Sequence, residues 1–115
     1  MSNPDGSEDP PEVDLALVNA EVIRIGKLVD LYTGDLRAAK RDGRSPSPEF
    51  FATAAKYDEA SDRWAVVLRR LQAGVPASEQ SEFATSFWRA SAAMDTALQA
   101  ARRSVARSSG RDSAR

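Results

Sequence analysis

Residues 15–39, LALVNAEVIRIGKLVDLYTGDLRAA, decide the fold class of this chain. Their large apolar residues recur at alternating intervals of three and four, which places them on one face of an α-helix. This seam lasts for more than three heptads, a length that is typical of a helix in a bundle or coiled coil. Its members are Leu15, Val18, Val22, Ile25, Val29, Tyr32, Leu36 and Ala39.

Two more helices with the same periodicity follow this segment. The second is predicted to begin after Ser47 as N-cap, with Pro48 at its first position, and to end at Gly74. The third is predicted to begin near Ser78. The apolar stripe of the second helix consists of Phe50, Ala54, Tyr57, Ser61, Trp64, Leu68 and Leu71. The stripe of the third consists of Phe83, Phe87, Ala90, Met94, Ala97, Leu98, Ala101 and Val105.

The two short connections between long helices predict an all-α fold, an elongated antiparallel up-down-up three-helix bundle with coiled-coil-like packing. A length of 115 residues fits one domain. We expect that domain at residues 12–106, with helices at about 12–42, 48–73 and 78–106. Residues 1–11 and 107–115 have little apolar surface to bury, so we expect an acidic and a basic disordered tail.

The composition excludes several kinds of chemistry. The chain has no Cys and no His, which excludes disulfides, thiolate nucleophiles, imidazole metal ligands and a Ser-His-Asp triad. Its glycines form no phosphate-binding loop. Its helical acids alternate with Arg and Lys, as on a solvated helix face. We therefore expect a non-enzymatic protein with no cofactor, no metal and no small-molecule substrate.

Sequence patterns also predict where the protein works. No apolar run approaches the roughly 18 residues that a membrane span needs. The first residues are acidic and contain proline, unlike a secretory signal. Arg outnumbers Lys 13 to 3 and there are 20 Ala, a bias that resembles bacterial proteins encoded at high G+C content. The prediction is a bacterial, cytoplasmic protein that does not bind membranes.

Four apolar residues miss the predicted core stripes and are candidates for a partner interface. On the first helix, Leu17, Leu28 and Leu31 lie about 100° from the centre of the seam. They either give this helix contact with both neighbours inside the monomer, or form a surface for a partner or a second copy. Trp88 also lies off its stripe. It either packs on the edge of an adjacent helix or acts as an interface residue.

These features predict a non-enzymatic helical module for protein–protein interaction or assembly, which self-associates or binds a partner protein. The alternative is an accessory binder of nucleic acid or another anionic surface. The net charge of -1 argues against it, but residues 1–12 carry four acids and no base, whereas residues 100–115 have a net charge of +4. The candidate anion contacts are Arg102, Arg103, Arg107, Arg111 and Arg115.

Overall fold

The computed structural model describes residues 14–112, with side chains through Arg107. It has three α-helices, α1 (Leu15–Arg41), α2 (Pro48–Ala73) and α3 (Gln80–Asp112). A single 3₁₀ turn, Ala77–Glu79, leads into α3. All regular structure within the described range is helical, which confirms the predicted all-α fold class.

Side-chain caps set the starts of the first two helices. The carboxylate of Asp14 accepts bonds from the backbone N–H groups of Ala16 and Leu17, at 3.0 and 3.3 Å. Since this cap satisfies orphan donors of the first turn, α1 begins at Leu15, three residues later than predicted. The hydroxyl of Ser47 accepts a bond from the N–H of Phe50 at 3.1 Å, so α2 begins as predicted.

Glycines with positive φ follow the first two helices. Gly43 has a φ of 69° and Gly74 a φ of 94°, conformations that a residue with a Cβ adopts only with strain. Helix α3 contains no proline after 106, and its helical backbone includes Gly110. Its backbone is helical to Asp112, whereas the third helix was predicted to end at about 106. Residues 1–13 and 113–115, where the rest of the predicted tails fall, lie outside the described residues.

Polar contacts across the bundle show the direction of α2. The guanidinium of Arg70, near the end of α2, donates to the carboxylate of Glu82, near the start of α3, at 2.8 Å. The hydroxyls of Thr53 and Ser104, at the other ends of the two helices, lie 2.9 Å apart. Helix α2 is therefore antiparallel to α3.

The same kind of evidence places α1. The hydroxyl of Ser91 donates to the carboxylate of Glu21, and Nε of Arg102 donates to Asp35 at 2.7 Å. The later residue of α1, Asp35, thus contacts the later residue of α3, Arg102, so α1 runs parallel to α3. The described residues therefore form an up-down-up three-helix bundle, as predicted.

Helix α3 supplies most of the core. All eight residues of its predicted stripe are buried, and Phe83, Phe87, Leu98 and Ala101 are fully so. Ser91 and Ser104, which lie beside that stripe, are buried as well. A helix that is apolar over so wide an arc fits the central position of α3, which contacts both of the other helices.

Helices α1 and α2 meet only through side chains, because no Cα atom of one comes within 8 Å of the other. The rings of Tyr32 and Tyr57 bridge them, with centroids 5.2 Å apart. From the predicted seam of α1, Val18, Ile25 and Tyr32 are buried, but Leu15 is 59% exposed.

The predicted face of α2 needs a larger correction. Trp64 is buried as predicted, but Ala60 and Val67 are also buried and were not assigned to the core. They lie on the side of α2 that packs against α3, whereas Tyr57 and Leu68 are partly buried against the core on the α1 side. The predicted stripe followed the larger residues and so missed part of the closer contact with α3.

Candidate functional site

A polar cluster joins α1 to α3 and fixes their register. The carboxylate of Glu21, whose side chain is 14% exposed, accepts bonds from the buried Ser91 hydroxyl and from Nη2 of Arg24, the latter at 2.7 Å. Chiefly through its hydrogen bond to Arg24, this site lowers the pKa of Glu21 below its usual value. Arg24 also reaches Asp95 on α3, at 3.5 Å.

Helical spacing puts two exposed apolar residues beside this cluster. Leu17 precedes Glu21 by four residues, and Trp88 precedes Ser91 by three, so each shares a face with the neighbouring polar residue. Leu17 and Trp88 therefore lie about one turn from the Glu21–Ser91 contact, at the same level of the bundle. Leu17 is 57% exposed and Trp88 42% exposed. We call this pair the α1–α3 edge.

The ring of Trp88 packs against a residue of the core. Its ring meets the ring of the buried Phe87 edge to face, with centroids 4.9 Å apart and an interplanar angle of 87°. An exposed tryptophan held against a core residue loses little further conformational freedom when a partner covers it.

The predicted group of three leucines divides between core and surface. Leu28 packs against the core cluster, as expected if α1 contacts its neighbours inside the monomer. Leu17 and Leu31 remain exposed, Leu31 by 50%. Leu31 precedes Asp35, the partner of Arg102 on α3, by four residues, so it also lies on the α3 side of α1 but is more exposed than Leu28.

Two of the five candidate anion-binding arginines are paired with carboxylates. Arg102 donates from Nε to Asp35 at 2.7 Å. Arg107 donates from Nε to Glu49 at 3.0 Å, and that bond lowers the pKa of Glu49. These pairs connect α3 to both other helices and reduce the positive charge that the two arginines present to an anion.

The remaining three arginines have different positions. The side chain of Arg103 is exposed, and it lines a cleft of about 480 Å³ at the end of the bundle where α1 stops. Arg111 belongs to the helical backbone of α3, while Arg115 lies outside the described residues. The cleft is lined by Asp35, Ala38, Arg44, Gln99, Arg102, Arg103 and Ala106.

The structure also contains a groove that the sequence stripes did not predict. It runs along the outer junction of α2 and α3 and encloses about 560 Å³. A second hollow of about 320 Å³ shares the lining residues Arg63 and Ala93 with it, so the two lie side by side along the same two helices. Alanine is too small to mark a hydrophobic face by itself, but Ala92 and Ala93, which lie just outside the core stripe, were a signal for it. The larger hollow is lined by Ala52, Thr53, Lys56, Glu59, Ala60, Arg63, Ala92, Ala93, Thr96, Ala97 and Ala100.

The ionisable groups of the described residues include two tyrosines with a raised pKa and no metal-binding cluster. In residues 14–112, no group of three or more His, Cys, Asp or Glu residues could hold a metal ion. Burial raises the pKa of Tyr32 and of Tyr57 above their usual value, so both hydroxyls stay protonated at neutral pH. None of the helices in the same part of the chain is long and apolar enough to span a bilayer.

Comparison of the chain with protein-family models, with curated proteins and with solved structures finds no match.

Proposed function

We propose that this chain is a non-enzymatic helical module for protein–protein interaction or assembly, which binds a partner protein or a second copy of itself. The observation that carries the proposal is the exposure of Trp88 beside Leu17 at the α1–α3 edge. Large apolar side chains grouped on a surface favour contact with another protein, and tryptophan is enriched among the residues that dominate such contacts.

The construction of the edge supports the same function. The Glu21–Ser91 contact fixes α1 against α3, so Leu17 and Trp88 occupy set positions on neighbouring helices. A surface that is rigid before binding loses less entropy on association. A bacterial, cytoplasmic setting and coiled-coil-like packing of the helices belong to the proposal as well, on the strength of the composition and the heptad spacing of α1.

The test compares the Trp88→Ser variant with an Ile23→Ser control. Ile23 is 59% exposed on α1, but lies on the side of that helix away from the α1–α3 edge. Light scattering after size exclusion gives the mass of each protein, and quantitative mass spectrometry gives the proteins that purify with it. If the unsubstituted chain has a mass above the monomer's 12.5 kDa, we expect Trp88→Ser to lower it towards that value. If another protein purifies with the chain, we expect Trp88→Ser to lose that protein. Ile23→Ser should change neither result. A strict monomer whose Trp88→Ser form retains every co-purifying protein contradicts the proposal.

Anion binding at the C-terminal end of α3 is a second candidate function. It is supported by the cleft that brings Arg44 and Arg102 together with the exposed Arg103. The pairing of Arg44 with Asp42 at 2.9 Å, and of Arg102 with Asp35, lowers the net positive charge there. A ligand such as duplex DNA would therefore gain most from Arg103, which forms no ion pair within the described residues.

Salt-titrated binding of duplex DNA tests this second function. Truncation after Ala100 is unsuitable, because the buried residues Ala101 and Val105 would be lost with it. Arg103→Ala should weaken binding and lower its salt dependence, while Arg69→Ala on the exposed face of α2 should not. Equal affinities of the two variants would contradict a role for this end of α3.

A further inference from the structure

The groove between α2 and α3 has the dimensions of a helix-binding surface. Its α2 wall extends from Ala52 to Arg70. At 1.5 Å per residue this wall is about 27 Å long, which corresponds to about 18 residues of a docked helix. The floor is formed largely by alanine, and alanine allows a neighbouring helix to approach closely.

The same groove has a strongly biased rim. Lys56 and Arg63 stand on the α2 wall and Arg89 on the α3 wall, against one carboxylate, that of Glu59. None of these three cations forms an ion pair with another residue in the described part of the chain. An apolar floor between unpaired cations favours an apolar ligand with acidic flanks.

Charge also decides between a second copy and a different protein as the occupant. In a symmetric dimer the groove would face itself, so Lys56, Arg63 and Arg89 would meet the same cations of the other copy. Like charges across an interface oppose association. An acidic amphipathic helix, by contrast, can place its apolar side over Ala93 and Ala97 and its carboxylates beside both walls.

We propose that the α2–α3 groove docks one acidic amphipathic helix, of about 18 residues, from a partner protein. This inference rests on the proposed interaction function and names the surface and the class of partner. The groove lies at the junction of α2 and α3, and neither Leu17 nor Trp88 lines it. A protein that uses both surfaces can connect two different partners.

The test uses two synthetic 18-residue probes, each with leucines at helical intervals of three and four. One carries glutamate at every flanking position and the other lysine. Binding to the full chain is measured by fluorescence anisotropy, and the contact surface by changes in backbone amide chemical shifts. We expect the acidic probe to bind and to shift the amides of Ala93, Thr96 and Ala97. The basic probe should bind at least about tenfold more weakly.

Charge reversal on the rim gives the sharper comparison. The double variant Arg63→Glu, Arg89→Glu should lose at least about tenfold in affinity for the acidic probe and should prefer the basic probe. Arg69→Glu, an exposed reversal outside the groove on α2, should leave the original preference in place. Circular dichroism confirms that each variant is folded.

The outcomes separate this inference from the proposed function. Equal binding of the two probes, or no binding of either, overturns the docking of an acidic helix in the groove. Shifts confined to Leu17, Trp88 and their neighbours also overturn it, but leave the interaction function in place. The Trp88→Ser comparison tests that function on its own, because Trp88 does not line the groove.

Discussion

Replacement of Phe87 by alanine tests the packing of the whole bundle. Phe87 is fully buried, and its ring lies 5.4 Å from that of Trp64, 6.0 Å from that of Phe83 and 4.9 Å from that of Trp88. Phe87→Ala removes these contacts and leaves a cavity where α2 and α3 meet. Truncations of this kind reduce the free energy of unfolding by about 3–5 kcal/mol. For a domain of this size the melting temperature should fall by about 12 °C or more.

Thermal and urea denaturation followed by circular dichroism measure this effect. Phe51→Ala is the matched control, because Phe51 is 61% exposed and its loss should change stability by no more than about 0.5 kcal/mol. If Phe87→Ala does not fold, the milder Phe87→Leu should still fold and cost less than Phe87→Ala. A Phe87→Ala protein as stable as the unsubstituted chain, or a Phe51→Ala protein just as destabilised, would refute the packing described for α3.

Three further perturbations test local features. Glu21 has a lowered pKa in the folded protein, so its contribution to the free energy of unfolding is complete above its usual value of 4.5 and is lost as the pH falls through the lowered value. In urea denaturation, Glu21→Gln should therefore destabilise the protein at pH 7 but much less at pH 2. A loss of stability that is the same at both pH values would contradict this. Ser47→Ala should cost about 1 kcal/mol by removing the cap of α2, and an unchanged urea midpoint would argue against that cap. Gly26→Ala should stabilise the middle of α1 by about 1 kcal/mol, since nothing lies within 4 Å of the added Cβ. Gly74→Ala should destabilise the protein, because the φ of this residue is 94°. Equal effects of the two substitutions on the melting temperature would contradict this contrast.

The sequence was sufficient to predict the main features of the fold. The eight-residue stripe of α3 is buried because its large residues recur on a single face, and that signal needs no knowledge of the neighbours. The start of α2 was predictable because Ser47 and Pro48 act locally. What failed depended on tertiary contacts. Ala60 and Val67 are buried where α2 packs against α3, and the spacing of apolar residues in α2 does not show which side faces α3.

The candidate surfaces were less predictable than the fold. The spacing of apolar residues identified Trp88 and Leu17 as lying off the core stripes, and both are exposed. It did not predict that they lie at the same edge of the bundle. That fact depends on the register set by Glu21 and Ser91, which are 70 positions apart in the chain. The α2–α3 groove escaped prediction since a groove is formed by the relative position of two helices and lined by residues too small to stand out.

The backbone of α3 remains helical for six residues beyond the predicted end of the third helix at 106. Residues 107–112 contain no large apolar residue, and their backbone continues the helix of α3. Val105, which is buried, anchors α3 against the core just before this extension. The contact of Arg107 with Glu49 further stabilises the beginning of this extension.

The most direct test of the interaction function is photo-crosslinking inside cells from single sites on the surface. A photoreactive side chain at position 88 probes the α1–α3 edge, and the same side chain in place of Arg69 probes an exposed face of α2 that lines neither surface. We predict a discrete crosslinked protein, or a crosslinked second copy, from position 88 and none from position 69. No crosslink from position 88, or the same products from both positions, would contradict the proposed interaction function of the α1–α3 edge.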